Sequence, residues 1–205
     1  MTYAVVVDWY GPYDSVKTAN AAIREWSLGE VLYMAAGTVG RQTVPKLQYI
    51  GITKDFERRL NTRHKVRTTI SEEGLSIYLG DVSSQAVSGR KASHHHKGFT
   101  VPVNLAESAL AFFLQLPLNS DKRCSRPKDS IVLFNRWWKT DIDTRSRRRP
   151  HPDWPDFIEY DEVSDTGAVV WHGGRRKHFS TDLIDETCSR ASKDLRVARE
   201  QAAAE

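Results

Sequence analysis

Two tyrosines stand in short apolar runs, Tyr33 in Val31-Leu32-Tyr33 and Tyr49 in Tyr49-Ile50-Gly51. Arg59, Arg63 and His64 follow in a basic stretch, Glu107 interrupts an apolar run, and Asn119 comes just after Pro117. These types suit hydrolysis of a phosphodiester, which needs a nucleophilic water, neutralisation of the developing charge and help for the departing oxygen. Tyr33 can take the water's proton if its phenol ionises. With a free pKa of ~10 it needs a nearby cation, and a metal ion, Arg59 or His64 can supply that charge. Arg59 brings a fork of donors matched to a phosphate and stays charged at any relevant pH. A lone carboxylate such as Glu107 can hold one Mg²⁺ that keeps several waters. No second acidic residue stands at matching spacing, so one ion is expected rather than two.

Each residue also has a plainer reading. Tyr33 and Tyr49 are good strand aromatics, and Arg59 suits a solvated helix face or an ion pair. Asn104-Leu105-Ala106-Glu107 fits a capping box, and Asn119 fits the turn after Pro117. What sets them apart is order: Tyr, Tyr, Arg, Glu and Asn fall on strand, strand, helix, helix and loop. In this respect the stretch Val31 to Asn119 resembles the GIY-YIG nuclease superfamily. Val31-Leu32-Tyr33 resembles the GIY element, and Tyr49-Ile50-Gly51 matches the YIG element without change. Lys54 to Leu60 is similar to the helix after YIG that carries a catalytic arginine, here Arg59. Glu107 and Asn119 resemble the metal-binding glutamate and the structural asparagine of the restriction-enzyme branch. Val31 fills the first glycine position, the tip between the two tyrosine motifs is long, and His64 stands five residues after Arg59, where Arg63 occupies the more usual place at four.

The resemblance implies a divalent-metal-dependent endonuclease acting on double-stranded DNA, with Tyr33, Tyr49, Arg59, His64, Glu107 and Asn119 at its catalytic site. Glu107 would hold one Mg²⁺ or Mn²⁺ per active site. Extra elements on both sides of the core look most like a type II restriction endonuclease, a class commonly acting as a twofold homodimer on palindromic sites. The alternatives are a homing, repair or toxin-like nuclease on the same core, or a DNA-binding module without activity.

The elements that must position these residues are read from periodicity. Tyr3 to Trp9 predicts a buried strand, the Gly11-Pro12 pair a turn, and Asp14 or Ser15 the cap of a helix with Val16, Ala19, Ile23 and Trp26 inward. Val31 to Ala35 and Leu47 to Ile52 predict a hairpin with a long tip. Alternation turns Tyr49 away from Gln48 and Ile50. Thr53 is expected to cap a helix from Lys54 to about His64, with Phe56 and Leu60 an inward pair. Leu75 to Leu79 reads as a third strand, Ser83 to Gly98 as a loop holding His94-His95-His96, and Leu105 to Leu116 as a helix that is apolar nearly all round. Strands at Ile131 to Phe134 and Ala168 to Trp171 follow, then a final amphipathic helix from Ser180 or Thr181, a candidate dimer interface. The expected fold is α+β: a small mixed or antiparallel sheet flanked by helices. It forms a single domain over 1–205, with a strand-helix extension at 1–30, a nuclease core at 31–119 and a C-terminal extension at 120–205.

Composition agrees with a polyanion partner. The 205 residues carry a net charge of +4 and a pI near 9.1, and the charge is unevenly spread. A block from Asp121 to Pro150 is rich in Lys and Arg, and Asp153 to Asp165 is acidic with no Lys or Arg. Arg147, Arg148 and Arg149, beside Trp137-Trp138, together with Arg63, are candidate DNA contacts; a solvated charge run is the plainer reading. Cys124 and Cys188 make no disulfide framework, which predicts a reducing, cytoplasmic setting. The opening residues do not read as a signal peptide, and no apolar run suits a bilayer.

Overall fold

The computed structural model describes residues 2–83 and 100–180. His94-His95-His96 and the final helix expected after Thr181 lie outside these. Among the described residues there are eight strands: β1 (Tyr3–Tyr13), β2 (Val31–Gly37), β3 (Lys46–Thr53), β4 (Ser76–Val82), β5 (Ile131–Trp138), β6 (Phe157–Asp161), β7 (Thr166–Trp171) and β8 (Arg175–Ser180). Four helices accompany them: α1 (Val16–Glu25), α2 (Phe56–Arg59), α3 (Lys65–Thr69) and α4 (Thr100–Phe113). All eight strands join one sheet in the order β3-β2-β4-β1-β5-β6-β7-β8. Neighbours are antiparallel except β1 and β5, which run parallel. The α+β character is as expected, but the sheet is large where a small one was predicted. The N-terminal strand is one reason. It lies between β4 and β5, in the middle of the sheet, and continues through Gly11-Pro12 to Tyr13 instead of turning there.

Side-chain alternation gives the sheet two apolar faces. Val5, Val7, Trp9, Met34 and Ile50 pack on one face beneath α4. That helix buries residues on every side from Leu105 to Phe113 apart from the half-buried Ser108, as its nearly continuous apolar sequence demands. The opposite face holds Tyr10, Tyr33, Tyr49, Ile77 and Leu79 with Ala19 and Ile23 of α1 and Phe56 of α2. Ser15 caps α1 by accepting from Thr18 N–H, while the Thr18 side chain accepts from Ser15 N–H. Buried Asn20 of α1 accepts from Phe56 N–H at 3.1 Å and so fixes the start of α2. Register places Gly51, Tyr33, Leu79, Tyr10 and Trp138 in one row across five adjacent strands.

Candidate active site

β2 and β3 set the two tyrosines side by side. Tyr33 is paired with Gly51, two residues beyond Tyr49 on β3, so both rings stand on the same face, with centroids 5.7 Å apart. Gly51 is what lets Tyr33 lie there: a Cβ at that position would meet the Tyr33 ring and hydroxyl at 2.7 Å. Phe56 closes the other side of Tyr33 at a centroid distance of 4.9 Å. The Tyr33 hydroxyl is thereby fully buried and makes no hydrogen bond. Burial drives its pKa well above the ordinary phenol value; the neighbouring Tyr49 adds to this and Arg59 opposes it. Tyr49, by contrast, lines an open cleft of about 520 Å³.

The helix expected from Lys54 to His64 is broken, and the break builds the site. Asp55, not Thr53, caps α2 by accepting from Glu57 and Arg58 N–H. The helix ends at Arg59, and the Asn61 side chain then accepts from Arg63 N–H at 3.0 Å, a local turn that competes with helix continuation. His64 begins a second helix as its cap: Nδ1 accepts from Val66 N–H at 3.2 Å. In one continuous helix, positions five apart lie on different faces. With the Asn61 turn between them, both reach Tyr49. Arg59 Nη2 donates to the Tyr49 hydroxyl at 3.4 Å, and the His64 ring meets the Tyr49 ring edge-on at 5.2 Å. The expected inward pair Phe56 and Leu60 is buried.

His64 is a neutral group here. Burial, reinforced by Arg59 and Lys65, holds its pKa down to about 4. Because Nδ1 accepts the capping hydrogen bond, the neutral ring carries its proton on Nε2 and can donate from there. Lys65, which sequence reasoning did not single out, places its ammonium 5.1 Å from the Tyr49 ring centre. Its only signal was the basic stretch around His64.

Glu107 and Asn119 reach the same cleft from the far side. α4 already includes Thr100, so Asn104 is an internal residue and not the expected cap, and Glu107 sits too deep in the helix for a capping box. Its carboxylate is buried, 4% exposed, and forms an ion pair with Lys122. Lys122 was part of the basic block but was not assigned to the site. Asn119 behaves as a substitute strand neighbour. Its side-chain amide accepts from Ile50 N–H and donates to Ile50 C=O, each at 2.8 Å, while Leu118 N–H donates to Gln48 C=O at 2.9 Å. These bonds occupy the free edge of β3 and hold the backbone between Tyr49 and Gly51.

Tyr49, Arg59, Glu107 and Asn119 therefore share one cleft with Lys65, Asp121 and Lys122. Arg59 is also shared with an adjoining cleft of about 670 Å³ that holds Arg63 and His64. Tyr33 lies behind Tyr49. The basic segment is elsewhere: Arg147, Arg148 and Arg149 line a separate cleft beside β5. No group of three or more His, Cys, Asp or Glu side chains among the described residues could cage a metal ion. No helix among them is long and apolar enough to cross a membrane. Cys124 is not a free thiol, so the cysteine count carries no reading of the compartment. No family model, curated protein or solved structure matches the chain.

Proposed function

We propose that this chain is a metal-dependent endonuclease of the GIY-YIG type that hydrolyses phosphodiesters in double-stranded DNA, as a sequence-specific restriction enzyme working as a homodimer. The observation that carries the reading is the convergence of Arg59 and His64 on the Tyr49 phenol, facing the buried carboxylate of Glu107 across a cleft. Four separate elements supply these groups, and the helix break at Asn61 is what brings Arg59 and His64 to the same ring.

Glu107 fits one hydrated Mg²⁺ or Mn²⁺. It is a buried carboxylate at a cleft wall, its ion-pair partner is a long lysine chain able to swing aside, and a single carboxylate plus waters is an ordinary donor set for Mg²⁺. When bound, the ion supplies Lewis-acid stabilisation of the phosphate oxygens and a more acidic water. Arg59 orients the phosphate and balances the charge that builds on it. Tyr49 is the phenol that faces the cleft, with Arg59 donating to its hydroxyl and the Lys65 ammonium beside its ring. It is accordingly the better-placed acceptor of the water's proton. Tyr33, buried and harder to ionise, acts as the buttress that fixes Tyr49. His64 donates from Nε2 to a phosphate oxygen. As water oxygen bonds to phosphorus and its proton passes to Tyr49, the phosphorus–oxygen ester bond breaks and the departing oxygen takes a proton from solvent.

A second reading, a DNA-binding module without activity, draws on Lys122, whose ammonium already neutralises Glu107. Incubation with supercoiled plasmid and Mg²⁺, followed by gel electrophoresis, separates the two. Discrete linear fragments are expected; intact plasmid at every metal concentration would favour the module.

A further inference from the structure

A cleft of about 1260 Å³ lies apart from the one with the proposed catalytic groups. It is lined on one side by Val6 of β1 and Phe134 and Arg136 of β5, and on the other by the segment from Arg145 to Arg149. Its size exceeds the ~300–1,000 Å³ of most small-ligand pockets, which suits a length of polymer better than a metabolite.

The segment is anchored by its backbone, leaving most of its charge free. Ser146 N–H donates to Trp137 C=O at 2.9 Å, and Arg145 bridges to Trp138. Two arginines in the cleft are committed internally. Arg136 pairs with buried Asp8, which also accepts from Trp138 and Ser83. Arg149 pairs with Asp156 at 2.8 Å and donates to His172 C=O. Of the three arginines expected as DNA contacts, Arg149 is therefore held by an internal partner. Arg145, Arg147 and Arg148 are exposed, and no hydrogen bond or ion pair among the described residues holds their side chains.

Phe134 is the second feature. It is 40% exposed and is the only aromatic among the exposed large apolar side chains of the described residues. One side of its ring packs on Phe157 at 4.8 Å, and the rest faces the cleft next to Val6. An open aromatic face bordered by three uncommitted guanidinium groups is the combination that binds a nucleic-acid strand by stacking and phosphate contact. A base held within a duplex stack cannot present its face to such a ring.

We infer that this cleft takes an unstacked nucleotide of a DNA strand, its base on Phe134 and its neighbouring phosphates on Arg145, Arg147 and Arg148. The inference rests on the proposed DNA endonuclease reading and adds a single-stranded or locally opened feature to its substrate. The test uses the Glu107→Gln protein, so that no cleavage intervenes, with fluorescence anisotropy on single-stranded, gapped and fully paired oligonucleotides of one sequence. Phe134→Ala should weaken binding of the single-stranded and gapped probes by roughly tenfold, and Phe134→Trp should restore it. Binding of the paired probe should change less. Equal affinity of Phe134→Ala and its parent for all three probes overturns the inference while leaving the endonuclease reading intact. Equal weakening on all three overturns it as well, because the ring would then be a general contact. Displacement by heparin as effective as by single-stranded DNA, with Phe134→Ala indifferent, marks a plain polyanion surface. If the parent protein binds none of the probes, the endonuclease reading itself fails.

Discussion

The two clefts treat charge in opposite ways. Around Tyr49, charges meet partners: Glu107 has Lys122, and Arg59 has the Tyr49 hydroxyl. Beside β5, Arg136 and Arg149 are tied to buried or half-buried carboxylates, while Arg145, Arg147 and Arg148 stay uncommitted. Groups held by partners are preorganised for a reacting atom, whereas free exposed arginines serve to attract and seat a polyanion. On the proposed function, this pattern suits chemistry in the first cleft and affinity in the second.

The largest expected effect follows from Glu107. Glu107→Gln should cut cleavage by at least ~10²-fold, in the range seen when a preorganised electrostatic group is removed, with DNA affinity nearly unchanged. Full activity would break the assignment. At the second cleft, the triple change of Arg145, Arg147 and Arg148 to Ala should weaken binding across sequences. It should flatten the dependence of log affinity on log salt by up to ~0.9 per lost contact. Arg149→Ala should act chiefly on folding, through the loss of its bond to Asp156, and a large change in salt slope from it alone would blur the distinction drawn between these arginines.

Two further changes sharpen the first cleft. Gly51→Ala forces a methyl into the Tyr33 ring and should cost ~1–3 kcal/mol of stability by chemical denaturation, the usual cost of overpacking. The smallest effect concerns His64. Its folded pKa, about 4, lies below its ordinary value of 6.5. The unfolded chain therefore takes up a proton first as pH falls. Stability supplied at neutral pH is lost between about pH 6.5 and 4, with no further loss from this group below that. His64→Asn keeps a capping side chain for α3 and should remove that part of the pH dependence; an unchanged stability curve from pH 7 to 4 would contradict the burial argument.

Much of the first cleft was legible in the sequence because it is built from local signals. Alternation set Tyr49 apart from Ile50, and the apolar run after Asn104 announced a buried helix. The break at Asn61 was not legible: Asn competes with a helix only through its own side-chain hydrogen bond, and Phe56 with Leu60 reads as helix in either case. β6 was hidden by Glu159 and Asp161, which made its exposed face look like part of an acidic loop, although Ile158 and Tyr160 alternate with them. β8, Arg-Arg-Lys-His-Phe-Ser at the sheet edge, offers almost no apolar pattern, as suits a charged edge strand. The parallel pairing of β1 with β5 joins segments far apart in the chain, and no local period encodes it. Arg149 was grouped with its neighbours because its partner Asp156 lies in the acidic block that follows.

The division between the clefts is tested most directly by Arg59. Under single-turnover conditions with saturating DNA and Mg²⁺, Arg59→Lys should lose most of the cleavage rate, because an ammonium cannot reproduce the guanidinium fork. Arg58→Lys, on the exposed side of the same short helix, should cleave at the parent rate, and both should bind DNA as the parent does. Equal rates for the two variants, or a loss at Arg59 that is wholly one of binding, would contradict the account.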